Sequence, residues 1–248
     1  LRKILDRLAS IPTVERIRIG TMVASPTLRH PLLLAKESMS LDHISAGRFI
    51  LGLGAGAGGA SFDATVYGDE PLSPGPRADR LDEYATVLDG VLRGELTGRR
   101  GRGETGDGGR VLPGCVQRPR VPLALAAGGA RTIGITAAVA DAFITLGDPG
   151  TPPTDAADYV RVLADQAARL DGCCERIGRD PAEIDRIAFV SSAFPSVLAS
   201  LEAFVDLAGS LDDAGFGTIV FHDHRADDPA LDIGLDLVEA IAQWRQTG

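Results

Sequence analysis

The most constraining feature of this chain is a strand–helix–strand pattern that leads into a glycine-rich loop within the first quarter of the sequence. Residues 17–24 are β-branched and apolar and predict a buried strand, and residues 49–53 predict the next one. Between them, Pro31 suits the first turn of a helix, and apolar residues follow it at helical spacing. Such a unit joins two parallel strands through a helix outside the sheet. The chain is therefore expected to adopt an α/β fold.

The same alternation continues along the rest of the chain. Further apolar runs predict strands at residues 122–127, 142–146, 187–191 and 218–222. Periodic apolar residues predict helices at residues 1–8, 80–92, 130–140, 156–177, 198–214 and 231–244. Two long loops are expected. Residues 57–76 are rich in Gly, Pro and Asp, and residues 93–114 are rich in Gly and Arg. Six parallel strands fit either an open doubly wound sheet or part of an eight-stranded barrel.

Charge and composition exclude several classes of partner. The formal net charge is −9 and the chain has no basic cluster, so nucleic acid is not an expected partner. Three cysteines, two of them adjacent, do not make a disulfide framework. No apolar run approaches the roughly 20 residues of a membrane span, and no signal peptide is visible. We therefore expect a soluble cytoplasmic protein with no membrane partner.

The glycines at residues 52–59 allow three interpretations. A dinucleotide-binding fingerprint needs a helix to begin directly after its glycines, so that the helix N-terminus meets the pyrophosphate. Here the glycines are followed by a segment that contains Pro71, Pro74 and Pro76. A plain flexible loop is the second interpretation. The third, a ligand-facing loop of another α/β fold, is the one that the sequence favours.

A series of short motifs indicates which α/β fold this is. In chain order they are RIRIGT at 16–21, RHP at 29–31, AKE at 35–37, LDH at 41–43, GRFILGLGAG at 47–56, RLDE at 80–83, VQRPRVP at 116–122, AAGG at 126–129 and ADA at 140–142. Together they extend over about residues 14 to 146, more than half of the chain. On these motifs the chain resembles the bacterial-luciferase-like superfamily, and within it the actinobacterial members that use a deazaflavin.

The resemblance implies a TIM (β/α)8-type barrel that binds FMN or the deazaflavin coenzyme F420 at the carboxyl ends of its strands. Because only six strands are predicted, the first two strands are expected to be missing from the sequence, as in a fragment or an incomplete barrel. The implied chain is a single domain over residues 1–248 that forms a homodimer. The implied activity is hydride transfer between F420 and a small-molecule substrate. The alternatives are an FMN-dependent monooxygenase or reductase and a non-catalytic flavin-binding relative.

The resemblance also implies a set of cofactor-binding residues at three strand ends. The first strand end would support one face of the ring through a bulge with a non-proline cis peptide between Met22 and Val23. The second would let the ring approach closely because it lacks large side chains. The third would expose backbone N–H groups before a helix, with one arginine adding charge toward a phosphate. These residues are Thr21, Met22, Val23 and Ser25; Gly54, Ala55 and Gly56; and Ala127, Gly128, Gly129 and Arg131.

Other interpretations of these segments stay open. The first can also be read as an ordinary buried strand end, and the third as a simple turn with a solvated arginine. Relatives often place a polar or acidic residue just after the glycines of the second strand, whereas this chain has Ala57, Gly58 and Gly59. No catalytic acid or base is therefore assigned.

The remaining polar candidates favour structural roles. His222 and His224 would face the same side of a strand, but a metal needs a third ligand and the sequence offers none, so a polar strand end at the barrel mouth is favoured and no metal is expected. His30 and His43 are expected to be structural. Glu37 and Glu83 match the family pattern and are expected to hold helices and loops together.

Overall fold

The computed structural model describes residues 17–56, 62–68, 70–95, 111–148, 150–151, 153–190 and 200–221. The chain divides into two compact units. The first comprises Leu1–Ala127 with Ala138–Ala142, and the second comprises Gly128–Ala137 with Phe143–Gly248.

Parallel strands and their connecting helices form the described part of the first unit. Its elements, in chain order, are β1 (Ile19–Gly20), α1 (Pro31–Ile44), β2 (Phe49–Gly54), α2 (Phe62–Thr65), α3 (Pro74–Arg93) and β3 (Leu123–Ala126). β2 lies between β1 and β3 and is parallel to both, with Ile19 opposite Phe49 and Leu51 opposite Leu123. The parallel βαβ arrangement expected from the sequence is confirmed.

The second unit continues the alternation of helix and strand. Its elements, in chain order, are α4 (Ala130–Val139, whose last two residues belong to the first unit), β4 (Ala142–Thr145, whose first residue belongs to the first unit), α5 (Ala156–Ile177), a 3₁₀ turn (Pro181–Glu183), β5 (Asp185–Val190), α6 (Leu201–Asp213) and β6 (Thr218–Phe221). β5 lies between β4 and β6 and is parallel to β6, with Ile187 opposite Thr218. The strand order therefore follows the chain order in each unit.

Local sequence explains where the longest helix begins and ends. The side chain of Asp155 accepts the backbone N–H of Asp158 at 2.8 Å and caps the N-terminus of α5. Gly178 follows the last turn with φ +71°, a left-handed conformation that glycine adopts without strain. Between these caps, α5 buries one face that includes Tyr159, Leu163 and Leu170. The helix expected over residues 156–177 is thus confirmed at both ends.

The first strand is shorter than the sequence suggests. Residues 17–24 predict one buried strand, but only Ile19–Gly20 pair as β1, and Ile17 is 55% exposed. Beyond Gly20 the chain leaves the ladder because the side chain of Thr21 binds the backbone of Gly52, and it rejoins β2 through a single bridge from Ala24 to Leu53. The apolar run is therefore partly a bulge, which periodicity alone does not distinguish from a strand.

The loop expected at residues 57–76 is also shorter in the structure. The helix α2 interrupts it, and α3 begins at Pro74 rather than at the expected residue 80. Proline is well suited to the first helical turn, where its missing N–H costs nothing, so the prolines mark a helix start rather than a continuing loop. The interior of the second long loop, residues 96–110, lies outside the described residues, as do the helices expected at 1–8 and 231–244.

Two further observations concern the cysteines and the length of the helices. All three cysteines, Cys115, Cys173 and Cys174, are free. Among the described residues, no helix combines the length and the apolar character needed to cross a lipid bilayer.

A buried arginine links the helix α3 to the segments on either side of β3. The side chain of Arg120 is 2% exposed and forms ion pairs with Asp89 and Asp141. Its guanidinium also donates to the backbone carbonyl oxygens of Val121, at 3.0 Å, and Val139, at 2.9 Å. Because an arginine offers five N–H donors in a planar fork, a single side chain can satisfy all of these acceptors.

This cluster predicts a pH dependence of folding. Burial alone raises the pKa of the Asp89 carboxyl, but hydrogen bonds and positive charge from Arg93 and Arg120 outweigh it and hold the pKa below its usual value. Since the folded-state pKa is depressed, the stabilisation is fully present above the unfolded pKa and is lost as the pH falls through the folded pKa. We expect Asp89→Asn to lower the free energy of unfolding at neutral pH, and the difference from wild type to shrink in acid. Urea titrations at several pH values measure this; a difference that stays constant with pH contradicts the account.

A second buried charge fixes the loop that precedes β3. The carboxylate of Asp42, on α1, accepts the backbone N–H groups of Val116, at 2.6 Å, and Gln117, at 3.0 Å. It also accepts the side-chain amide of Gln117 at 2.8 Å, and the same amide donates to the carbonyl oxygen of Phe49 at 2.7 Å. Asp42 and Gln117 each belong to one of the ordered sequence motifs, and these hydrogen bonds give both residues a structural role.

Candidate functional site

The carboxyl ends of β1 and β2 are tied together through Thr21 and Gly52. The Oγ1 atom of Thr21 donates to the carbonyl oxygen of Gly52 at 2.8 Å and accepts its N–H at 3.0 Å. Ala24 then donates to the same carbonyl oxygen at 2.8 Å and accepts the N–H of Gly54 at 3.1 Å. These bonds hold the segment Thr21–Ala24 as a bulge over the end of β2.

The bulge leaves two apolar side chains partly exposed. The Met22–Val23 peptide bond is cis, as the family resemblance implies. Met22 is 46% exposed and Val23 is 37% exposed, whereas Ser25 is buried. The strand end therefore offers an apolar surface above a polar backbone that is already hydrogen-bonded.

The glycines of β2 have a definite steric role in this arrangement. A Cβ atom on Gly52 would lie only 1.9 Å from the carbonyl oxygen of Thr21, and one on Gly54 would lie 2.7 Å from Cγ2 of Val23. The space that a side chain at Gly54 would occupy is thus filled by Val23. These glycines let the bulge settle on β2, and contact of Gly54 or the half-buried Ala55 with a ring stays a prediction.

Polar groups that the sequence did not single out surround Gly56. Gly56 has φ +79°, and a Cβ atom there would lie 2.8 Å from Oδ2 of Asp63 and 3.3 Å from Oγ of Ser25. The Nη1 atom of Arg77 donates to the carbonyl oxygen of Gly56 at 2.7 Å. Asp63 and Arg77 thus bring charge to the end of β2, although residues 57–59 carry none. The feature of the sequence that could have revealed Arg77 is Pro74. A proline suits the first turn of a helix, and α3 does begin at Pro74, so that Arg77 lies in its first turn.

In the second unit, the predicted glycine turn is held by a buried amide. Gly129 accepts the N–H of Ile133 at 3.0 Å and so begins α4, while Arg131 lies in the first turn of that helix. The Nε2 atom of Gln166 donates to the carbonyl oxygens of Gly128, at 3.3 Å, and Gly147, at 3.2 Å. The sequence does not identify Gln166, because a single glutamine on an amphipathic helix does not by itself indicate a buried or functional position. Ala127, the remaining predicted residue of this group, is a buried residue of the first unit.

Three of the polar residues that were expected to be structural have partners in the described part of the chain. His30 caps α1, and Nε2 of His43 lies 3.1 Å from the carbonyl oxygen of Gly114. Glu37 pairs with Arg29 at 3.2 Å. Among the residues that the structure covers, no group of His, Cys, Asp and Glu could hold a metal ion. His222 and His224 lie outside the described residues.

Comparison with known proteins assigns the family. A family model described as luciferase-like monooxygenase matches residues 11–200, more than half of the chain. The chain belongs to the luciferase-like monooxygenase family. This confirms the resemblance seen in the ordered motifs and identifies the enzymes of this family as oxidoreductases or monooxygenases.

Several enzymes resemble this chain at modest identity. The 5,10-methylenetetrahydromethanopterin reductase of Methanolobus tindarius is 28% identical over 224 residues, 88% of this chain and 61% of that protein. The F420-dependent glucose-6-phosphate dehydrogenase of Beutenbergia cavernae is 27% identical over 268 residues, 90% of this chain and 77% of that protein. Limonene 1,2-monooxygenase of Rhodococcus erythropolis is 34% identical over 87 residues, 35% of this chain and 21% of that protein. The chain thus spans less than two thirds of the first and third of these relatives.

Solved structures show the same fold. The coenzyme F420-dependent tetrahydromethanopterin reductase from Methanopyrus kandleri superposes with a TM-score of 0.70 over 97% of this chain and 86% of its own, at 18% identity. The long-chain alkane monooxygenase LadA gives 0.69 over 96% of this chain and 73% of its own, at 14% identity. The α/β fold with parallel strands is therefore that of the luciferase-like TIM-barrel enzymes, while the absence of two strands stays a prediction.

Proposed function

We propose that this chain is an oxidoreductase that transfers a hydride between coenzyme F420 and a small organic substrate. The observation that carries the proposal is the exposed apolar pair Met22 and Val23 at the carboxyl end of β1. A planar ring can pack on such a surface without removing a charged side chain from water. The choice of F420 is supported by the match to an F420-dependent dehydrogenase over 90% of this chain.

Each unit, taken by itself, carries residues that would suit one part of such a cofactor. Met22 and Val23 would pack against the ring, and the hydrogen-bonded bulge beneath them would keep that surface in place. The backbone N–H groups at Gly128 and Gly129, with Arg131, would bind a phosphate, because a helix N-terminus and a cation both favour negative charge. When bound, the deazaflavin supplies a carrier for two electrons and a proton, while the protein supplies position and exclusion of water. We also propose a cytoplasmic homodimer.

The second candidate function is an FMN-dependent monooxygenase. The limonene monooxygenase match has the higher identity, although it covers only about a third of this chain. The same apolar surface and the same glycine turn would suit FMN, since both cofactors carry a flat ring and a phosphate. The two candidates differ in the ring that the protein prefers and in whether oxygen is consumed.

Turnover separates these functions. We expect the purified chain to reduce F420 when it is incubated with a panel of alcohols and sugar phosphates, seen as loss of the oxidised ring's absorbance without oxygen uptake. Flavin-dependent NAD(P)H oxidation with oxygen uptake would instead support the monooxygenase. Ring binding with no turnover on either panel would support a non-catalytic relative.

A further inference from the structure

We infer that Met22 is an oxidation site at which hydrogen peroxide weakens binding of the cofactor ring. The inference rests on the proposed function, in which Met22 and Val23 form the surface that the ring covers. It adds a covalent modification at that surface, the conversion of a thioether to a sulfoxide, which methionine sulfoxide reductases can reverse.

The two methionines of the chain have opposite environments. Met22 is 46% exposed at the carboxyl end of β1, whereas Met39 is 0% exposed on α1. A peroxide molecule must reach the sulfur atom before it can oxidise a thioether, so exposure decides which methionine reacts. We therefore expect peroxide to modify Met22 well before Met39.

The backbone on both sides of Met22 holds its side chain at this surface. Thr21 is tied to Gly52 through its hydroxyl, and Ala24 donates its N–H to the carbonyl oxygen of Gly52 at 2.8 Å. Between them, Val23 packs toward β2, with Cγ1 lying 3.4 Å from the position that a Cβ atom on Gly52 would take. Met22 thus stays at the surface while its neighbour fills the space above β2.

The proposed step transfers one oxygen atom to the thioether of Met22. A lone pair on sulfur attacks one oxygen of hydrogen peroxide, and the O–O bond breaks as the S–O bond forms. The second oxygen leaves as water after proton transfer, so sulfur loses the two electrons that the peroxide gains. In the reverse step a dithiol reductant becomes a disulfide, supplies two electrons and two protons, and the sulfoxide oxygen leaves as water.

The sulfoxide changes the surface on which the ring is proposed to lie. A thioether is apolar and can pack against a flat ring, whereas the oxygen of a sulfoxide is a polar acceptor that water solvates. A ring that covers this oxygen removes it from water, and Val23 beside it is apolar and offers no donor in exchange. Oxidation of Met22 is therefore expected to weaken ring binding, and a bound ring is expected to shield Met22 from peroxide.

The test measures ring binding before and after peroxide treatment in wild type and in two single variants. Met22→Leu removes the exposed sulfur, and Met39→Leu removes the buried one and is the matched control. Each protein is treated with hydrogen peroxide and then with dithiothreitol, which reduces oxidised thiols of the three cysteines but leaves the sulfoxide in place. Peptide mass spectrometry locates the added oxygen, and ring fluorescence gives the affinity for F420 and for FMN.

We expect wild type and Met39→Leu to gain one oxygen atom at Met22 and to lose at least about tenfold in affinity for the ring. Met22→Leu should have the same affinity before and after peroxide, whatever its starting value. Methionine sulfoxide reductases A and B together should restore the affinity of oxidised wild type, since each reduces one sulfoxide epimer. F420 bound before the treatment should slow oxidation at Met22.

Three results would overturn this inference alone. Oxidation of Met39 as fast as Met22 would show that exposure does not select the site. An oxidised wild type that binds F420 and FMN as tightly as the untreated protein would show that the sulfoxide does not lie under the ring. A loss of affinity that is equally large in Met22→Leu would assign the effect to another residue. Failure of the untreated protein to bind either ring would instead remove the proposed function and this inference with it.

Discussion

Replacing Arg120 with alanine is expected to lower the free energy of unfolding by about 3 kcal/mol or more, because it breaks a largely buried charge cluster. The side chain binds two carboxylates and two backbone carbonyl oxygens. Once it is removed, Asp89 loses a cation that lowers its pKa, and the carbonyl groups of Val121 and Val139 lose a donor. Urea unfolding followed by circular dichroism measures the change.

Two variants control this prediction. Arg120→Lys keeps the positive charge but replaces the planar guanidinium, whose N–H groups reach several acceptors, with one ammonium group. We therefore expect an intermediate loss of stability. Arg161→Ala removes an arginine that pairs with Asp158 on the exposed face of α5, and we expect little change. If Arg120→Ala and Arg161→Ala cost the same, the cluster does not stabilise the first unit as argued.

Replacing Gly52 with alanine is expected to destabilise the fold by about 3 kcal/mol, the upper range for overpacking a tight site. The added Cβ atom would lie 1.9 Å from the carbonyl oxygen of Thr21, a backbone atom that cannot move aside like the end of a side chain. Relief requires the bulge to lift from β2, which breaks both hydrogen bonds between Thr21 and Gly52. Because Met22 and Val23 belong to that bulge, we also expect the affinity for F420 to fall at least about tenfold.

Gly209→Ala is the matched control for this substitution. Gly209 lies inside α6, and nothing lies within 4 Å of the position that its Cβ atom would take. Alanine there should stabilise the helix by about 0.5–1 kcal/mol and leave ring binding unchanged. If Gly52→Ala binds F420 as wild type does, the bulge does not form the ring surface.

Much of the fold could be predicted from sequence because its helices carry local signals. Asp155 and Gly178 mark both ends of α5, and the apolar stripe between them leaves one choice of helix face. The cis peptide at Met22–Val23 followed from the family resemblance and from no property of the residues themselves. For α5 and for the parallel strand–helix–strand unit, the prediction and the structure agree.

The features that the sequence did not predict share one physical cause, which is contact between residues that are distant in sequence. The run at residues 17–24 reads as a continuous strand, yet Thr21 turns to the backbone of Gly52, 31 positions away. Arg120 lies between Pro119 and Pro122, and nothing in the local sequence shows that two aspartates will enclose it. Gln166 is a polar residue on a mixed helix until two loops place their carbonyl oxygens against it.

Paired titrations of the wild-type chain with F420 and with FMN test the central claim most directly. Ring fluorescence reports binding of either cofactor at the same protein concentration and salt. We expect saturable binding of both F420 and FMN, with F420 bound more tightly. Tighter binding of FMN, or no saturable binding of F420, would contradict it.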